Sequence, residues 1–263
     1  MNLTPWPTCE PRQSRNSLPR PLPLLIFLLT VMPTANAFAS GSTEVLSISP
    51  PALAFARYLA SLDRRNPFTE SGPVAVEIDA SVPGLGKEAC LKAIRETGAS
   101  ERGEYQVLHI DGDSMVRQQV IARYLSAQAQ AEALPLSSSL ISPVNYKFRY
   151  RGLIHTSGNP LYGFQISPRK KRVGLIQGQV WIDPVTGVAV HEDGHFVKTT
   201  SALLRRIAVV RDTSLCDGFP CVRVTHSVVD TRLPVGRVEL TITERPLKMP
   251  PEAAAFELSE AKR

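Results

Sequence analysis

The stretch Tyr146-Lys147-Phe148-Arg149-Tyr150-Arg151, followed beyond a turn at Gly158-Asn159-Pro160 by Leu161-Tyr162-Gly163-Phe164-Gln165-Ile166, decides the fold. In the first segment every second position is aromatic and cations fill the gaps. In the second, Tyr162, Phe164 and Ile166 alternate with small or polar residues. That two-residue period belongs to strands with one buried face. Folded as a hairpin, the pair predicts that Tyr150 faces Phe164 and Phe148 faces Ile166. Tyr146, Phe148, Tyr150, Phe164 and Ile166 then form an apolar row on one side, with Lys147, Arg149 and Arg151 on the other.

Strand patterns continue on both sides of this hairpin. Gln177 to Ile182 predicts the next strand, and Asp183-Pro184-Val185-Thr186-Gly187 a tight turn. Val188 to Val190 returns, Glu192-Asp193-Gly194 reads as a further turn, and His195 to Val197 resumes. Three more strands are expected over residues 204–211, 221–231 and 236–244. Upstream, Val74, Val76 and Ile78 alternate within Pro73–Val82, and Glu104–Ile110 is a strand ended by Asp111-Gly112-Asp113. Residues 88–97 stay open between two readings: Cys90, Ala93, Ile94 and Thr97 fit one helix face, whereas the flanking segments are strands.

Two segments carry helical spacing. Pro51 starts a run with Phe55, Tyr58, Leu59 and Leu62 on one side, stopped by Asn66-Pro67. Asp113 or Ser114 caps a second, reaching about Ala133, with Val116, Val120, Ile121, Tyr124 and Leu125 as its apolar stripe. Residues 134–143 form a Pro/Ser loop. About nine to eleven strands with two helices predict an α+β, mainly β architecture: a large antiparallel sheet with helices packed on one face.

The chain has 263 residues, 43% apolar and 21% charged, with a formal net charge of +6. That balance excludes a disordered chain and an integral bundle of membrane helices. Residues 1–20 contain Arg12, Arg15 and Arg20 against Glu10, then Leu22 to Met32 is apolar, and Pro33-Thr34-Ala35-Asn36-Ala37 ends in small-x-small. This is the pattern of a secretory signal peptide over 1–37, cleaved after Ala37 or Ala39; a retained amphipathic anchor is the alternative. The run falls short of the roughly 20 residues that span a bilayer, so the mature protein is expected not to cross a membrane. Removing three bases and one acid lowers the net charge by two units. No cysteine follows the run, against lipoprotein processing. Residues 38–50 read as an unstructured lead-in, 51–248 as a single domain and 249–263 as a tail.

Export changes how the cysteines read. In an oxidising compartment Cys216-Asp217-Gly218-Phe219-Pro220-Cys221 is a bridged turn between strands, two free thiols being the alternative. Cys90 reads as a small core residue. His191-Glu192-Asp193-Gly194-His195 matches the zinc-hydrolase pattern in letters, but that pattern needs a helix to bring both histidines to one metal. In an extended strand they lie roughly 13 Å apart. Pro168-Arg169-Lys170-Lys171-Arg172 is a solvated corner or a site for anionic headgroups or an acidic partner, with Arg205, Arg206 and Arg211 as further cations. No glycine-rich phosphate loop, nucleophile elbow or cofactor motif stands out, and nucleic acid is a poor partner for an exported chain.

Tyr146-Lys147-Phe148, then Ile166-Ser167-Pro168-Arg169-Lys170, then Gly178-Gln179-Val180-Trp181-Ile182-Asp183 and Thr186-Gly187 follow a recurring order. It resembles the outer-membrane lipoprotein-sorting proteins, the LolA/LolB-like family, over about residues 70–245. The resemblance implies a strongly curved antiparallel sheet, a half-barrel, with helices as a lid over an apolar cavity. It further implies a periplasmic, non-enzymatic protein that binds a lipid or lipid-modified protein, or a stress-sensing regulatory module that docks an envelope protein. Tyr146, Phe148, Tyr150, Phe164 and Ile166 would face the ligand, and Arg169 to Arg172 a headgroup or partner. No cavity residue of the family is carried over onto this chain. A zinc hydrolase at His191/His195 is the least favoured reading.

Overall fold

The computed structural model describes residues 51–64, 66–68, 72–96, 104–155, 160–199 and 201–247. The expected signal peptide, lead-in and C-terminal tail lie outside them. The elements in chain order are α1 (Pro51–Leu62), β1 (Val74–Val82), β2 (Lys87–Arg95), β3 (Tyr105–Gly112), α2 (Ser114–Val116) and α3 (Ala122–Glu132). They are followed by β4 (Tyr146–Ile154), β5 (Leu161–Pro168), β6 (Ile176–Ile182), β7 (Ala189–Phe196), β8 (Leu204–Cys216), β9 (Phe219–Thr231) and β10 (Arg237–Pro246). A π-helical turn, Arg117–Ile121, joins α2 to α3.

All ten strands belong to one antiparallel sheet in the order β3-β2-β1-β10-β9-β8-β7-β6-β5-β4. Every neighbour is also a neighbour in sequence except β1 and β10. Their ladder, Val74↔Pro246 through Ser81↔Glu239, joins the first three strands to the seven-stranded meander. The two edges are therefore β3 and β4, which the chain connects through α2 and α3.

The deciding hairpin forms in the expected register, Phe148↔Ile166 and Tyr150↔Phe164, with a bulge just before Gly152. Of the ambiguous segment, residues 88–95 are strand and Thr97 lies outside the described residues: β2 pairs along β1 from Lys87↔Val82 to Arg95↔Val74, burying Ala89, Leu91 and Ala93. Helical spacing of its apolar residues loses to the ladder, because both flanking strands need a partner. Asp113 caps α2, its Oδ1 accepting from the Met115 and Val116 amides at 2.9 and 3.2 Å.

One expected turn is absent. Glu192-Asp193-Gly194 lies inside β7, which runs unbroken from Ala189 to Phe196. Gly194 stands opposite Gly178 of β6, and the two backbones approach closely: a Cβ on Gly178 would sit 1.9 Å from the Asp193 carbonyl oxygen. The glycine serves a close crossing rather than a reversal.

Two cores occupy opposite ends of the inner face. One lies under α2 and α3: Val74, Val76, Ile78, Leu91, Leu240 and Ile242 of the sheet meet Val116 and Ile121, with Val120, Tyr124 and Leu125 alongside. This is the stripe expected from the sequence. The other lies under α1: Tyr146, Tyr162, Phe164, Ile166, Val180 and Ile182 meet Ala54 and Tyr58.

The position of α1 is set by the β6–β7 turn. Buried Asp183 accepts through Oδ1 from the Val185 and Thr186 amides at 2.9 and 2.7 Å and from the Thr186 hydroxyl at 2.9 Å. Gly187 closes the turn at φ +74°, where a Cβ would be 2.5 Å from the Arg57 backbone. The turn's carbonyls then receive α1: Arg57 donates to Pro184, Ser61 to Gly187 at 3.1 Å and Arg64 to Thr186 at 3.4 Å. The Asp-x-x-Thr-Gly motif is thus a docking turn for the helix.

Asp183→Ala removes all three side-chain bonds of a buried acceptor and should cost about 3 kcal/mol, read as a lower urea midpoint. Gly178→Ala should cost as much or prevent folding, whereas Gly84→Ala, whose Cβ meets only the Val235 carbonyl at 3.3 Å, should shift the midpoint by less than about 1 kcal/mol.

Candidate functional site

Between the two cores the inner face changes character. Alternation carries Glu192 of β7, Arg211 and Thr213 of β8, Arg223, Thr225 and Ser227 of β9 and Glu244 of β10 onto the concave side. Here α1 and α3 leave a gap, and the loop 136–141 runs past it. The result is a cavity of about 490 Å³ with the sheet as floor. Its walls come from Tyr58, Ser61 and Arg64 of α1, Gln128 of α3, Leu136 and Ser139 to Ile141 of the loop, and Gly218 to Pro220 of the β8–β9 hairpin.

Charge pairs run across the floor. Arg211 donates to Glu192 at 2.9 Å. Glu244 is shared: its Oε1 lies 2.9 Å from Arg95 and its Oε2 3.8 Å from Arg223. Arg95 also reaches Glu132 of α3 at 3.3 Å and donates to the Phe68 carbonyl at 2.6 Å, tying helix to sheet. The Arg223 guanidinium stacks 4.0 Å above the Phe68 ring. Burial pushes the Arg223 pKa down to about 10, and the neighbouring Arg211 charge acts in the same direction. Burial likewise drives the Tyr58 hydroxyl well above its usual range, with the Glu192 charge adding to it; that hydroxyl donates to the Ile141 carbonyl at 2.6 Å. The Nε atoms of Arg95, Arg211 and Arg223 are buried with no acceptor among the described residues.

The aromatic row expected from the sequence forms as one face but does not line this cavity. Phe55 of α1 lies 4.8 Å from Phe148 and 5.3 Å from Phe164, ring centre to ring centre, and Tyr58 is 6.4 Å from Phe148. The Tyr146 hydroxyl accepts from the Ile176 amide, 3.1 Å away, so its end is fastened too. Ile166 is fully buried, Phe148 is half-buried and Tyr150 is 43% exposed. The row is the seat of α1.

The cationic corner divides into two kinds of residue. Arg169 donates to the Pro143 carbonyl and Arg172 to Asn145 Oδ1, both at 2.8 Å, anchoring the β5–β6 connection to the loop before β4. Lys170 and Lys171 are exposed, with no carboxylate partner among the described residues. His191 and His195 lie four positions apart on β7, facing away from the cavity, and His191 Nδ1 is 2.6 Å from Asp212 Oδ1. Among the described residues no group of three or more His, Cys, Asp or Glu is placed to hold a metal. Trp181, also on the outer side, packs over Gly163. Cys216 and Cys221 are bridged across the β8–β9 hairpin, Cα to Cα 5.7 Å. Cys90, which reads as a core residue, is buried and is itself disulfide-bonded.

From the sequence, Arg211 is only a further cation beside the Arg169–Arg172 corner, Glu192 is part of an expected turn, and Arg223 carries no role. In β9 the valines Val222 and Val224 take the outer parity and Arg223 and Thr225 the inner one, the reverse of ordinary patterning. Two adjacent strands whose polar residues share the inward parity are the signal that marks such a floor.

An open, curved antiparallel sheet clasping helices over a mixed polar and apolar cavity defines the class: a half-barrel with a helical lid. Among solved structures, the chain is similar to a LolA superfamily protein of Nitrosomonas europaea at 10% identity, covering 78% of this chain and 97% of that one, with a TM-score of 0.36. It is also similar to the Pseudomonas aeruginosa MucA/MucB complex structure at 12% identity, covering 75% and 95%, TM-score 0.25, and to MucB alone at 13%, covering 76% and 94%, TM-score 0.23. No family model matches the sequence, and no curated protein matches it.

The pairing pattern separates the two cavity arginines. Arg211→Met strips Glu192, whose side chain is 14% exposed, of its partner and should cost about 2 kcal/mol. Arg223→Met leaves Glu244 with Arg95 and should stay within about 1 kcal/mol of the parent. Thermal denaturation of the two variants side by side measures the difference.

Proposed function

We propose that this is an exported, periplasmic, non-enzymatic binding protein that holds the acyl chain of a lipid or lipid-modified protein. The observation that carries the reading is the cavity of about 490 Å³ between the concave sheet and α1 and α3, within the size range of small-molecule sites. Leu62, Leu136, Leu140, Ile141, Val188 and Phe219 supply apolar wall, while charged groups cover the floor. A bridged Cys216–Cys221 pair suits an oxidising compartment and agrees with the secretory pattern of residues 1–37. The cavity serines support binding over catalysis: Ser61 and Ser139 donate to the Tyr58 and Leu136 carbonyls at 2.7 and 3.2 Å, so both hydroxyls are engaged with the backbone.

A neutral, environment-sensitive acyl probe should give saturable fluorescence enhancement at micromolar concentration. Ser139→Trp, which fills the cavity from an exposed loop, should weaken uptake about tenfold, a loss of about 1.4 kcal/mol. Tyr150→Ala, outside the cavity, should leave it unchanged. Absence of saturable uptake by the parent protein sinks the reading.

A second reading, docking of an envelope partner or anionic surface through the corner after β5, is favoured by the exposure of Lys170 and Lys171. On that reading Lys170→Gln with Lys171→Gln abolishes binding to phosphatidylglycerol vesicles and spares probe uptake. Retained vesicle binding by the double variant removes it.

A further inference from the structure

The cavity has a chemical polarity that its volume does not convey. Three arginines, Arg64, Arg211 and Arg223, line it against one carboxylate, Glu192. Glu192 is committed to Arg211 at 2.9 Å. The carboxylate nearest Arg223 is Glu244, which is outside the lining, lies 3.8 Å away and is already bound to Arg95 at 2.9 Å. Arg211 and Arg223 are diagonal neighbours on β8 and β9, since Thr213 pairs with Arg223 and Arg211 with Thr225. Two like charges at that spacing, roughly 7 Å, repel. Both guanidinium groups have a buried Nε without an acceptor, and the Arg211 side chain is still 37% accessible from the cavity side. Positive charge that is only partly compensated and faces a cavity is stabilised by a bound anion, and guanidinium forks match oxyanions.

Resting on the acyl-binding reading above, we infer that the ligand's polar end is an oxyanion seated against Arg211 and Arg223: the cavity takes a carboxylate- or phosphodiester-headed amphiphile and discriminates against neutral ones of the same chain. The depressed Arg223 pKa agrees with this: burial and the Arg211 charge outweigh the partial offset from Glu244 and Glu192. The Phe68 ring, 4.0 Å from the Arg223 guanidinium carbon, gives that group a packing partner.

The test is displacement of the neutral acyl probe from the full-length folded protein by oleate, by oleyl alcohol and by inorganic phosphate. Oleate should displace it at about tenfold lower concentration than oleyl alcohol, as expected for a charge-assisted hydrogen bond, and phosphate should displace nothing. Arg223→Gln should erase the preference by weakening oleate while leaving the alcohol unchanged, and Arg223→Lys should retain most of it. Equal displacement by oleate and alcohol overturns the inference and leaves the acyl-binding reading standing, whereas a protein that takes up no probe loses both. Displacement by phosphate alone makes this a free-anion site and overturns the lipid assignment. A folded Arg223→Gln protein with unaltered preference removes Arg223 from the headgroup site; if that variant does not fold, the three-way comparison on the parent protein decides.

Discussion

The β1–β10 ladder is the constraint on which the rest of the molecule depends. It joins two runs of sequentially paired strands, three on one side and seven on the other, and so puts β3 and β4 at the two far edges. The connection between those edges then has to travel across the sheet. It does so along the concave side, first as α2 and α3 over β1 and β2, then as the loop 136–141 past β7 and β8. A helix end and a loop held over the middle of a curved sheet, with α1 docked from the other side, leave a gap where neither covers the floor. The cavity follows from the strand order.

The same geometry accounts for the charged floor. Apolar side chains at both ends are covered by a helix and form cores; in the middle no helix arrives, and an apolar face would be left wet. Arginine–glutamate pairs solve this at a cost in desolvation, which is why Arg223 titrates low and why three Nε atoms lack acceptors. The arrangement puts a charged spot on the floor of a cavity whose walls are mixed polar and apolar.

Much of the architecture was legible because its signals are local. The β4–β5 register follows from alternation and the α2 cap from Asp113. The α1 boundary follows from Pro51 and Asn66-Pro67, and the bridged hairpin from its Cys, Asp-Gly and Pro spacing. What failed depended on distant partners. β2 looked half helical because Ala and Cys at its buried positions have no strong preference, and only the β1 ladder decides it. Gly194 looked like a turn because the reason for it, the crossing at Gly178, lies on another strand. The floor was hidden for a further reason: in β9 Val222 and Val224 face out while Arg223 and Thr225 face in, so apolar alternation alone does not mark the inner side.

The Cys216–Cys221 bridge closes a very small ring around the Asp217-Gly218 tip, both residues at positive φ, as a two-residue hairpin turn demands. A ring that short restricts the unfolded chain little, about 2 kcal/mol on the loop-entropy model, so it is not what keeps the sheet together. Its leverage is local, because Phe219 and Pro220 inside the ring form part of the cavity rim. The β8–β9 ladder continues from Ser214↔Val222 away from the ring, so the sheet pairing does not rest on the bond. The covalent tie that an oxidising compartment maintains therefore sits beside the cavity and not in the middle of the sheet.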